Sequence, residues 1–139
     1  MKFLTLCLLM GCATGIRVHD LHPLAGVTFC DHGESFSFMS TDALGTEDEI
    51  TVPAHEATHR EQAKRYGSCE AMERAYGTTM GKLAIEAEAY AAGYCAGVQV
   101  GFAADVTRQD MLRRLRFAMQ GKLPEILTDL AFDHYAKDC

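Results

Sequence analysis

The stretch VPAHEATHREQ, residues 52–62, places two histidines four apart, with a glutamate directly after the first. On an α-helix, positions i and i+4 lie on one face, one turn apart. His55 and His59 therefore aim two imidazoles at a single locus, and Glu56 projects beside it. This suits a metal-binding helix: two nitrogen ligands, plus a carboxylate placed to take a proton from water activated by the ion. The competing reading is a solvated helix with two surface histidines. Local punctuation favours a real helix from Pro53 to about Tyr66. Proline is tolerated in a first turn, and Gly67 suits a C-terminal stop.

Outward from this helix, the chain changes character. On its N-terminal side, GVTFC (26–30) and SFSFM (35–39) carry β-branched and aromatic residues around the turn-forming DHGE, which predicts a hairpin. TDALGTEDE (41–49) reads as a loop, and ITV (50–52) as an edge strand stopped by Pro53. On the C-terminal side, SCEAMERAYG predicts a short second helix and the alanine-rich stretch 80–101 a long third one. Small residues there allow close approach of neighbouring backbones. Thr107 and Asp110 suggest a capping box for a fourth helix through Met119, and Pro124 opens a fifth ending near Lys137. Strands followed by helices predict an α+β domain over 27–139, with the His-bearing helix packed on a Glu-bearing one.

A hydrolytic zinc site needs a third protein ligand and an open fourth position. Metzincins would have Gly at 62 and His at 65; this chain has Gln62 and Arg65, which excludes that class. IEAEAYA offers Glu86 and Glu88, about 200° apart around a helix, so only one can face the ion. Leu83, Ala89, Tyr90 and Gly93 share the side of Glu86, which reads as a packed face. A carboxylate there is costly unless paired or metal-bound, so Glu86 is the expected ligand and Glu88 the alternative. The competing reading is a pair of solvated carboxylates.

Together, His-Glu-x-x-His and EAEAY (86–90) resemble the gluzincin-type zinc metallopeptidases, in which the second motif is a Glu-x-x-Ala-Asp-like pattern on a following helix. The resemblance covers roughly residues 50–95. It implies a zincin-like core, Zn2+ held by His55, His59 and Glu86, and Glu56 as catalytic base. Tyr90 stands where that family often has Asp. Its hydroxyl is then a candidate partner for the free nitrogen of a histidine ligand. Tyr94 is a candidate transition-state stabiliser, with His134 and Tyr135 as further ones. His19, His22 and His32 lie in loops and receive no role. Arg113, Arg114 and Arg116 read as the solvated face of the fourth helix.

The N-terminus carries a different signal. MKFLTLCLLMGC has one cation, a short apolar run, and Leu9-Met10-Gly11-Cys12, which resembles a bacterial lipobox. Residues 1–11 are expected to be a signal peptide cleaved before a lipidated Cys12, with 12–26 as a linker. The apolar run is too short to span a bilayer. Cys30, Cys69, Cys95 and Cys139 then remain, an even number without Cys-x-x-Cys spacing, which points to disulfides in an oxidising compartment. Cys69–Cys95 with Cys30–Cys139 is the pairing expected. The 139 residues carry 48% hydrophobic and 23% charged residues, as in one folded domain. A net charge of −6 argues against a nucleic-acid partner.

The expected function is zinc-dependent peptide-bond hydrolysis at the bacterial cell envelope, on a peptide or protein substrate, with a lipid anchor in the membrane. The alternative is a metal-binding, non-hydrolytic envelope lipoprotein. A di-iron carboxylate site would use Glu-x-x-His twice, and Glu56–His59 is the sole instance in the sequence.

Overall fold

The computed structural model describes residues 16–139, so the signal peptide, the lipobox and Cys12 lie outside the described residues. The chain is α+β: a three-stranded sheet followed by five α-helices. Strands β1 (Ile16–His19), β2 (Gly26–Asp31) and β3 (Glu34–Ser40) lie in the order β1-β3-β2. β2 and β3 form the expected hairpin, with Asp31 opposite Glu34. Its two turn residues, His32 and Gly33, have φ of 50° and 82°, the positive pair that a two-residue hairpin requires. β1 pairs with β3 in parallel, from Ile16 opposite Ser37 to His19 opposite Ser40. The expected linker over 12–26 thus contains a strand. Its burial explains it: Ile16 packs with Met39, Ala43 and Val52 beneath the sheet.

Helix α1 spans Asp48–Arg65. It begins five residues before Pro53, so the expected strand at 50–52 is instead helical. Three local features support this early start. Thr46 Oγ1 accepts the Asp48 amide, Asp48 and Glu49 place negative charge in the first turn, and Thr51 and Val52 are buried. Pro53 is tolerated inside the helix, although it has no amide N–H to give to the turn before it. Packing has overridden the β-propensity of Ile-Thr-Val.

Helix α2 (Cys69–Tyr76) is capped by Ser68, whose Oγ accepts the Ala71 amide at 3.0 Å. Helix α3 (Thr79–Gln99) is the central element, packed on α1, α4 and α5. It approaches α1 closely at Gly93, where a Cβ would lie 3.0 Å from the Thr51 carbonyl oxygen. Helix α4 (Ala104–Met119) starts three residues before Thr107. The expected capping box is therefore absent: Thr107 is buried inside the helix and its hydroxyl donates to the Ala103 carbonyl. Helix α5 (Glu125–Ala136) follows Pro124. Leu83, Ala87 and Ala91 of α3 meet Met111, Leu112 and Leu115 of α4 and Phe132 of α5 in the largest apolar cluster.

Two disulfides are present among the described residues, Cys30–Cys69 and Cys95–Cys139. The expected pairing is corrected on both counts, for a simple reason. Cys69 packs with Ile85 near the start of α3. Cys95 lies ten residues further along that helix, about 15 Å away. Among the described residues, no helix is long and apolar enough to cross a membrane.

A candidate metal centre

α1 runs between the sheet and α3, and this sandwich builds the site. His55 and His59 sit one turn apart on the α1 face towards α3, which presents Glu86 to both. His55 Nε2 lies 3.5 Å from Glu86 Oε2, and His59 Nε2 lies 3.9 Å from Glu86 Oε1. The two Nε2 atoms are 3.0 Å apart. The three donor atoms all lie within 4.8 Å of one another and form a group that can hold a metal ion. Donors about 2.0–2.1 Å from a tetrahedral ion are separated by roughly 3.3 Å. The observed spacings bracket that value, and the donor set of two imidazoles and one carboxylate suits a borderline divalent cation.

Burial tunes these groups. Burial, then the neighbouring His59, then Arg114, hold the His55 imidazole well below its usual pKa, so it is neutral, the form that ligates metal. Nothing among the described residues bonds the buried Nδ1 of His55. Glu86 is only 7% exposed, and its Oε1 accepts a 2.7 Å hydrogen bond from the Tyr76 hydroxyl of α2. Burial and the Glu86 charge push the Tyr76 hydroxyl pKa up, so it remains a donor.

Glu56 is buried against the sheet. The hydroxyl of Thr28, on β2, donates to Glu56 Oε2 at 2.6 Å. Ser37, opposite Thr28 in the hairpin register, lies 2.7 Å from the same hydroxyl and can donate to it in turn. Burial raises the Glu56 pKa, against the lowering effects of His59 and the Thr28 hydrogen bond. Gly26 makes room: a Cβ there would fall 2.6 Å from Val52 Cγ1 and 2.7 Å from Glu56 Oε1.

Glu88 lies outside this group. It faces away from Glu86 and holds Arg65 Nη2 at 2.5 Å and Gln62 Nε2 at 2.9 Å. Gln62, 1% exposed, sets its Oε1 2.9 Å from His59 Nδ1. The partner of a histidine nitrogen is thus Gln62. Tyr90 instead lays its ring against His55, centroids 4.3 Å apart. Tyr94 packs on Phe132 in the core and lies outside the cleft, so it cannot stabilise a transition state there. His134 and Tyr135 meet edge to face, away from the triad. Tyr135 lines a separate hollow of about 260 Å³ with Arg65 and Glu88.

A cleft of about 830 Å³ opens over the triad, walled by β2, α2 and α4. It contains His55, Glu56, His59 and Glu86, with Tyr76 and Arg114 beside them. Arg114 is not part of a solvated face, as expected for that basic run: it is half-buried between Asp48 and Asp110, each at 2.7 Å. Arg113 and Arg116 do meet the expectation, pairing with Asp110 and Asp129 at the surface.

His55, Glu56, His59 and Glu86 are thus brought together as expected, and Thr28, Gln62 and Tyr76 join them. Gln62 carried a signal in its position one turn beyond His59. Thr28 and Tyr76 come from separate elements and carried none. Comparison with family models, curated proteins and solved structures finds no match to this chain.

Proposed function

We propose that the protein is a zinc-dependent hydrolase of peptide bonds, built like the gluzincins its two motifs resemble. The observation that carries this reading is the convergence of His55, His59 and Glu86 with Glu56 beside them on the floor of one cleft. Two imidazoles and one carboxylate form a ligand set common to catalytic zinc, and all three side chains line the cleft, towards which a fourth position would open. Bound zinc supplies a Lewis acid that acidifies water and polarises a carbonyl. The chain's own residues do the rest. Glu56 takes the proton of the attacking water and passes it to the departing amine. Thr28 aims that carboxylate through Oε2 and leaves Oε1 for the proton. Tyr76 and Tyr90 bring hydroxyl-bearing rings to the cleft, in the place expected of Tyr94. The cleft volume lies within the range of about 300–1,000 Å³ typical of sites for compact ligands, enough for a short peptide segment.

The Glu56→Gln variant tests the catalytic reading. Zinc should remain near one per chain, while cleavage of a quenched peptide library falls about 10²–10⁴-fold. A zinc-loaded wild type with no Glu56-dependent cleavage, of the library or of envelope proteins, would leave a metal-binding, non-hydrolytic protein.

The proposed location is the bacterial envelope, with the protein anchored through Cys12. The lipobox-like residues 9–12 and two disulfides, which persist in oxidising compartments, support it. Radiolabelled palmitate should enter the wild type and not Cys12→Ser; equal labelling removes the anchor.

A further inference from the structure

Behind the metal triad, away from the cleft, a chain of hydrogen bonds has a fixed direction. We propose that Gln62, itself oriented by Glu88, is a positioning residue that locks His59 in its Nδ1–H tautomer and so presents a bare Nε2 to an ion. This rests on the metal-site reading above.

The direction follows from donor and acceptor chemistry. A carboxamide has one end that only accepts and one that only donates. One end of Gln62 meets the Ile85 carbonyl oxygen at 2.9 Å and Glu88 Oε2 at 2.9 Å. Both are acceptors, so that end must be the NH2 group. The oxygen is thereby turned to His59 Nδ1, at 2.9 Å. An acceptor at that distance requires N–H on Nδ1. A neutral imidazole has a single proton, so Nε2 keeps its lone pair. That atom faces His55 Nε2 and Glu86 Oε1, at the centre of the triad.

The lock has little slack. Turning the Gln62 amide over would set its oxygen against a carbonyl and a carboxylate, in a place where the side chain is 1% exposed. Arg65 grips the other oxygen of Glu88 and keeps that carboxylate beside Gln62. The arrangement also accounts for glutamine rather than glutamate at 62. A carboxylate would meet Glu88 with no proton between them. Glu88, on the opposite side of α3 from Glu86, thus acts on the metal site without touching it.

Nitrogen-15 spectra of histidine-labelled, metal-stripped protein test this, at a pH well above the usual imidazole pKa of about 6.5. Wild-type His59 should show a protonated Nδ1 and an unprotonated Nε2. Gln62→Leu should lose that pattern, and zinc Kd, from competition with a chromophoric chelator, should weaken about 10–100-fold. Glu88→Gln, a milder change at a partly exposed site, lets the Gln62 amide turn and should give a mixture of tautomers.

A wild-type His59 protonated on Nε2 overturns the proposal, as does a Gln62→Leu variant with unchanged tautomer and Kd. Should Gln62→Leu fail to fold, Glu88→Gln decides by the same readouts, and an unchanged tautomer there overturns the proposal. The tautomer is read without metal or substrate. The expected pattern in a protein that binds no zinc would therefore sink the zinc reading and leave the lock standing.

Discussion

At Glu86, a carboxylate lies under the surface with one hydroxyl donor and two imidazoles for company. A buried charge is costly unless it is paired, and the neutral imidazole of His55 does not pair it. A divalent cation among the three would supply the missing charge and use every lone pair directed inwards. Glu86→Ala and His55→Ala should therefore each abolish stoichiometric zinc binding, because two remaining ligands hold the ion poorly. Metal analysis of the purified variants checks this, and zinc near one per chain in Glu86→Ala would refute it. The same residues show what sequence can carry. His55, Glu56 and His59 were legible because one helical turn relates them. Gln62 obeys the same rule, one turn beyond His59, yet the sequence used it only to exclude a metzincin. Its importance arises from meeting Glu88 and Ile85, which belong to another helix. Thr28 and Tyr76 reach the site by tertiary folding alone, so no local spacing could announce them.

Helices and strands hold these side chains at a working distance, and β2 does so most closely. Gly26 is the point where the strand passes over α1, with no room for a methyl group beside Val52 and Glu56. Gly26→Ala must push the strand outwards or turn the Glu56 carboxylate. Overpacking of this kind typically costs about 1–3 kcal/mol. Urea unfolding should show that loss, and peptide cleavage should fall while zinc stoichiometry stays, since Glu56 is not a ligand. Unchanged stability and rate would mean that the strand does not support the carboxylate. Ser68→Ala makes a contrast: it removes only the cap of α2 and should cost about 1 kcal/mol with metal retained. The hairpin was readable because alternation and a turn pair are local. The start of α1 was not, because Ile50, Thr51 and Val52 favour a strand by type, and the burial of Val52 beneath the sheet and of Thr51 against α3 holds them in the helix. Thr107 misled in the same way: its hydroxyl bonds its own helix rather than capping it.

Across the whole molecule, the two disulfides divide the work of holding the cleft and closing the fold. Cys30 lies two residues beyond Thr28 on β2, and Cys69 opens the helix that carries Tyr76. Their bond joins two walls of the cleft, one bearing the partner of Glu56 and the other the partner of Glu86. Cys95–Cys139 instead ties the far end of α3 to the segment just beyond α5, away from the triad. The sequence separations are similar, 39 and 44, so each bond should stabilise the fold comparably, by about 2–4 kcal/mol. Their effects on the site should differ. Paired Cys95→Ser and Cys139→Ser substitutions should lower the urea midpoint and leave zinc affinity and cleavage near wild type in the folded protein. Paired Cys30→Ser and Cys69→Ser substitutions should lower the midpoint by a similar amount and also reduce cleavage, because Thr28 and Tyr76 would no longer be held across one gap. Peptide mapping under non-reducing conditions comes first and should recover the 30–69 and 95–139 pairs, with none of these four thiols free to alkylating reagent. Should both double variants lose stability alike with cleavage untouched, the first bond is a staple of the fold and has no part in shaping the cleft.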